Sequence, residues 1–130
     1  MNTQFPDDFI SNIDHERAHF ERAPHAFFEA WKRGVEIAGH PWFGDGSREN
    51  LDAAVCIWDL RPQMAAIDEH LGVMSHGERL FLSAMASFYN AQDSAPLLKR
   101  CDFEGFADLG RLDLKRRQVI ADLILNYHGW

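Results

Sequence analysis

Apolar residues along this chain recur at intervals of three and four, the spacing of one helix face, and no segment alternates as a half-buried strand does. Phe5, Phe9 and Ile13 lie four apart, but Pro6, Asp7 and Asp8 interrupt them, so residues 1–13 read as an irregular or partly helical lead-in. Asp14 has the chemistry of an N-cap for a short helix that stops before Pro24. A stronger helix is predicted from about His25 to Ala38, with Phe27, Phe28, Trp31, Val35 and Ala38 opposed to Glu29, Lys32, Arg33 and Glu36.

Three glycines and a proline within residues 39–46 mark a loop, and that loop carries Trp42 and Phe43. These two aromatics either fold back to plug the end of the core, which is the expectation, or stand out as a partner-binding surface. Ser47 then caps a helix bearing Leu51, Ala54, Val55 and Trp58, with Pro62 breaking or bending it before Met64, Ile67 and Leu71. Ser75 and Glu78 have capping-box spacing ahead of Phe81, Ala84, Met85 and Phe88. After a turn over residues 91–94, Ser94 and Pro96 open a short helix. Phe103, Phe106 and Leu109 form a further short segment, and Asp113 starts a last helix striped by Val119, Ile120, Leu123, Ile124 and Tyr127. The pattern predicts an all-α fold, an irregular array of about six to eight helices of uneven length, within a single helical domain over 1–130.

Composition narrows the class further. Apolar residues make up 46% of the 130, enough for a core without disulfide or metal staples. The N-terminal residues lack the basic and apolar regions of a secretory signal, and no run reaches the length of a membrane helix. Cys56 and Cys101 lie far apart and read as two buried free thiols. The expected address is therefore the cytoplasm, with no membrane partner. Net charge is −7, and it is uneven: residues 1–78 hold 14 acidic against 6 basic side chains, residues 79–130 hold 6 against 7.

One motif carries sharp chemistry. In His15-Glu16-Arg17-Ala18-His19, two histidines one helical turn apart can share a zinc ion while the glutamate acts as general base on metal-bound water. Together with His25, ten positions after His15, the eleven residues resemble the extended zinc signature of metzincin peptidases. That resemblance implies His15, His19 and His25 as ligands and Glu16 as the catalytic base. Arg22 stands where those enzymes have a glycine, and only fourteen residues precede His15 in place of their strand-rich platform.

Lys115-Arg116-Arg117, with Lys99, Arg100 and Arg111 nearby, is the one basic concentration, but Asp102, Glu104, Asp108 and Asp113 interleave with it. No phosphate loop, nucleophile elbow or calcium loop is present in the sequence. The reading that follows is a small non-catalytic protein that acts by binding another protein, as adaptor, inhibitor or regulatory subunit, with no cofactor and no nucleic-acid partner. The alternatives are a zinc-dependent hydrolase or metal-binding protein built on His15 and His19, and a nucleic-acid-associated protein using the basic C-terminal helix. An acidic mimic of nucleic acid belongs with the last.

Overall fold

Asp7 and Asp8 put two carboxylates in the first turn of a helix, where the exposed backbone N–H groups favour negative charge. That helix, α1, runs without a break from Asp7 to Ala38 in the computed structural model, which describes residues 7–129. Residues 7–13 are helical, within the expectation of an irregular or partly helical lead-in, and the remainder of that lead-in, including Phe5, lies outside the described residues. Two other expectations are corrected. Asp14 sits inside the helix and caps nothing, and Pro24 does not divide it. An internal proline forfeits one backbone hydrogen bond and crowds the carbonyl four residues back, a cost of about 3 kcal/mol. Burial of Ala23, Phe27, Ala30, Trp31, Gly34 and Val35 on the turns beside Pro24 overrides that local cost.

The last helix, α6 (Leu114–Asn126), lies against α1. Asp113 caps it, accepting the Arg116 N–H at 3.0 Å. Val119, Ile120 and Leu123 are buried as their spacing predicts, but Ile124 and Tyr127 are exposed and Asn126 takes the inner position. Arg33 of α1 pairs with Asp122 of α6 at 2.6 Å. His19 Nε2 donates to the Leu125 carbonyl at 2.8 Å, satisfying an acceptor that the helix end leaves free. Gly34 permits the close approach: a Cβ there would lie 2.5 Å from Met85 Cε and 3.1 Å from Val119 Cγ1.

Ser75 accepts the Glu78 N–H at 3.3 Å and starts α4 (His76–Tyr89). Residues 80–86 are buried without exception, so α4 is enclosed on all sides and forms the centre of the fold. Asn90 ends α4 and at once caps α5 (Ala91–Arg100), accepting the Asp93 N–H at 2.9 Å. The turn expected over residues 91–94 is therefore helix, and the connection is a single residue. Asn90 and Asp93 have side chains common in turns, but here the Asn90 carbonyl oxygen acts as a helix cap.

Between α1 and α4 the chain is assembled from short pieces: α2 (Arg48–Ala53), α3 (Met64–His70) and 3-10 turns at His40–Trp42, Ile57–Leu60 and Leu71–Val73. A fourth 3-10 turn, Phe106–Arg111, precedes α6. The helical stripe expected through Val55 and Trp58 does not form: Val55 is 82% and Trp58 62% exposed. Asp59 Oδ2 accepts the Val55 and Cys56 N–H groups at 3.0 and 3.3 Å, which closes a tight turn and ends α2 early. Phe43 and Pro62 form an isolated antiparallel bridge, and the Gly44 N–H reaches the Arg61 carbonyl at 2.8 Å.

One apolar cluster draws on α1 through α6 and includes Trp31, Phe43, Leu60, Ile67, Phe81 and Leu123. Phe43 is buried and Trp42 half-buried against this cluster, so the aromatic loop turns inward, as the plugging expectation had it. Cys101 is buried, with its sulfur 3.5 Å from Ser83 Oγ, whereas Cys56 is exposed, contrary to the expectation of two buried thiols. The fold is all-α, and none of the helices described is long and apolar enough to cross a membrane.

Candidate interaction surface

His15 and His19 lie one turn apart on α1, both in the stretch ahead of the core. His25 stands on the same continuous helix, which places it about 15 Å along the axis from His15 and roughly 80° round it. The sharp turn that brings the third histidine of the metzincin signature to the metal is thus replaced by helix. His19 already donates to the α6 carboxyl end through Nε2. Glu16 is exposed beside them. Among the described residues no three His, Cys, Asp or Glu side chains gather in a way that could hold a metal ion.

The other histidines serve local structure. His40 Nδ1 lies 2.8 Å from the Gly46 carbonyl and closes the aromatic loop. His70 Nδ1 lies 2.9 Å from the Ala66 carbonyl at the end of α3, with its ring 5.5 Å from that of Trp42. His76 Nε2 accepts from Arg111 at 2.8 Å. These contacts hold Trp42 and its neighbours in place and leave Phe43 no exposed surface to offer a partner.

The basic concentration is drawn into the protein's own surface. Arg100 pairs with Asp68 at 2.7 Å, Arg111 with Asp108 at 2.8 Å and Arg116 with Asp113 at 2.6 Å. Arg117 donates to the Leu112 carbonyl at 2.7 Å and to the Gly110 carbonyl. Exposed pairs like these contribute little stability, but each engages a guanidinium that a phosphate backbone would otherwise meet.

Four aspartates act as backbone acceptors at turns. Asp45 is held below the ordinary carboxylate range by the Ser47 hydroxyl and then the Ser47 N–H. The Val55 and Cys56 N–H groups lower Asp59, those of Glu104 and Gly105 lower Asp108, and that of Arg116 lowers Asp113. A carboxylate depressed in the folded state contributes stability that is complete above its unfolded value near 3.8 and is lost as pH falls through the lower folded value. We therefore expect carbon-detected NMR titration to place all four carboxyls below that value and thermal stability to fall only in the acid range beneath it. Titration of these groups at or above 3.8 would contradict the capping geometry.

One hollow open on the surface is apolar. The α4, α5 and α6 helices and the Phe106–Arg111 turn enclose a groove of about 290 Å³ whose walls include Phe88, Phe103, Leu109, Ile120 and Ile124. Its lining is almost wholly carbon, and the one hydroxyl in it, that of Ser87, is spent on the Ala84 carbonyl at 2.6 Å. Phe106 stands at the lip, 83% exposed, with its ring 6.5 Å from that of Phe103, and Ile124 is 57% exposed. A second hollow lined by Ser87, Phe88, Ile124 and Tyr127 continues it toward the end of α6.

This surface was missed in the sequence because Phe103, Phe106, Leu109 and Ile124 carry the spacing of core stripes. The available signal was Gly105 beside Phe106, since a short turn between a glycine and Gly110 lacks the length to bury a phenylalanine on both sides. Comparison with known protein families, with curated proteins and with solved structures returned no match to this chain.

Proposed function

We propose that the chain is a non-catalytic helical protein that acts by binding another protein, and that the groove between α4, α5 and α6 is its docking surface. The observation carrying this reading is the apolar groove itself, open to solvent and led into by an exposed phenylalanine. Apolar patches of this kind, when contiguous, mark sites of association. A groove walled by helices suits the apolar face of a partner helix, whose side chains at i, i+3 and i+4 would enter in turn. The pairing of Arg100, Arg111 and Arg116 with aspartates favours a protein partner over nucleic acid. The cytoplasm is the compartment we assign to this activity, since the exposed Cys56 thiol suits a reducing one.

The test is selection of helical peptides from a displayed library against the folded protein, followed by NMR mapping. Selected peptides are expected to shift Phe88, Phe103 and Ile124, and Phe106→Ser should weaken them about tenfold or more, as removal of an aromatic anchor does. Peptides that bind elsewhere, or a library that yields none, would overturn the reading.

A further inference from the structure

Arg111 closes the Phe106–Arg111 turn, and its guanidinium is shared among three segments. One terminal nitrogen donates to His76 Nε2 at 2.8 Å, at the start of α4, and to the Cys101 carbonyl at 3.4 Å, at the end of α5. The other donates to the Asp102 carbonyl at 3.5 Å and, within the turn, to Asp108 Oδ1 at 2.8 Å. Phe103, Phe106 and Leu109 lie along the stretch so tied, and all three line the groove between α4, α5 and α6. The guanidinium therefore holds one wall of the groove against α4 and α5, from which Ala84, Phe88 and Leu98 also line it.

The His76 contact differs in kind from the other three. Carbonyls accept at any pH, and Asp108, held below the ordinary carboxylate range by the Glu104 and Gly105 N–H groups, stays ionised near neutrality. A guanidinium can only donate, so His76 Nε2 must be the bare nitrogen of a neutral ring. A second proton, which imidazoles ordinarily take up at about pH 6.5, would set N–H against N–H and bring two cations into contact. The charged groups near this contact are Arg111 and Asp108 on the turn, Asp102 beyond the end of α5, and Glu78 and Arg79 on α4 itself. Among the described residues no carboxylate is hydrogen-bonded to the imidazole, and Asp108 is already engaged by Arg111. Arg111 is partly exposed, so water screens some of the repulsion, but the link between turn and helix is still lost.

We infer that this contact makes the groove pH-sensitive: a neutral His76 braces the Phe106–Arg111 turn against α4, and its protonation releases the brace and weakens binding in the groove. The regulated site is the docking groove proposed above, and this step rests on that reading. The brace belongs to the neutral ring, so it is complete at high pH and lost as pH falls through the ring's titration.

NMR of the full chain between about pH 7.5 and about pH 5.5 tests the brace without any partner. The Phe106 ring and Leu109 methyl signals are expected to move with the titration of the His76 ring. In His76→Gln the amide oxygen still accepts from Arg111 and cannot titrate, so those signals should keep their neutral-pH positions throughout. Signals that ignore the His76 titration, or that move equally in the Gln variant, where the other histidines still titrate, would overturn the brace. The regulation is read with a groove-binding helical peptide from the displayed library. Its dissociation constant should rise about fivefold or more on acidification of the parent and stay level in His76→Gln. An equal rise in both chains, or none in the parent, would overturn the regulation. A protein that takes no such peptide at either pH loses the docking reading and the regulation with it, while the NMR titration alone still decides the brace.

Discussion

Replacing Trp31 with alanine is expected to cost about 3–5 kcal/mol, a large part of the ~5–15 kcal/mol that holds a domain of this size together. Trp31 is fully buried, lies 6.3 Å from the Phe27 ring in a stacked arrangement and meets the Phe43 ring edge-on at 5.8 Å. Its indole N–H donates to the Leu60 carbonyl at 3.0 Å. One side chain thereby joins α1, the aromatic loop and the 3-10 turn at Ile57–Leu60. Trp31→Phe separates the two contributions: it keeps most of the apolar volume and removes the donor, stranding the carbonyl at about 1–3 kcal/mol. Equilibrium urea unfolding measures both. An alanine variant within about 1 kcal/mol of the parent would mean that the loop and turn are held by something else.

Gly44→Ala is expected to be nearly as damaging, although it adds one methyl group. Gly44 has φ +58°, and a Cβ built on it would lie 1.8 Å from Asn50 Oδ1 and 2.4 Å from the Asp59 carbonyl oxygen. The second of these is backbone, so the strand-like bridge between Phe43 and Pro62 would have to open to make room. Left-handed backbone costs an alanine about 1–2 kcal/mol and overpacking about 1–3 more, giving a loss of roughly 2–5 kcal/mol. Gly77 supplies the control: it lies in the first turn of α4 with open space around it, and alanine there should leave stability unchanged or raise it by up to about 1 kcal/mol. Equal effects at the two glycines would show that crowding at Gly44 is relieved by movement elsewhere.

These two positions also show where the sequence was readable. Trp31, Phe81, Met85, Val119 and Leu123 declare their burial by helical spacing, and Ser47, Ser75 and Asp113 declare helix starts by side chains that accept from the third residue on. Local chemistry failed where tertiary contact decided the outcome. Pro24 reads as a stop, yet the packed turns on either side carry the helix through it. Val55 and Trp58 continue a helical stripe, yet Asp59 folds their backbone into a turn and turns them outward, with the Arg61 guanidinium 4.5 Å over the Trp58 ring.

The interaction surface was the least legible part. A groove is a relation among Phe88, Phe103, Phe106 and Ile124, residues from three segments, and each of them alone looks like core. The histidine signature erred in the opposite direction. His15, Glu16 and His19 are correctly spaced for zinc, but spacing along a chain constrains a third ligand only if the backbone bends, and α1 does not break between His19 and His25.

Asn90 gives the architecture a rule about length. Because this one residue both closes α4 and opens α5, the joint has no slack in which an extra residue could be absorbed. Adding or removing a residue at Asn90 would rotate α5 by about 100° relative to α4, turning Leu97 and Ser94 out of the core and the charged Lys99 toward it. The loop over residues 39–46 is likewise pinned, by the Gly44 N–H on the Arg61 carbonyl and by burial of Phe43, so it offers no slack that would compensate for a change at the Asn90 joint. Natural variation in length among chains of this architecture would accordingly stop short of the α4–α5 joint, which also bounds the groove between those helices and α6.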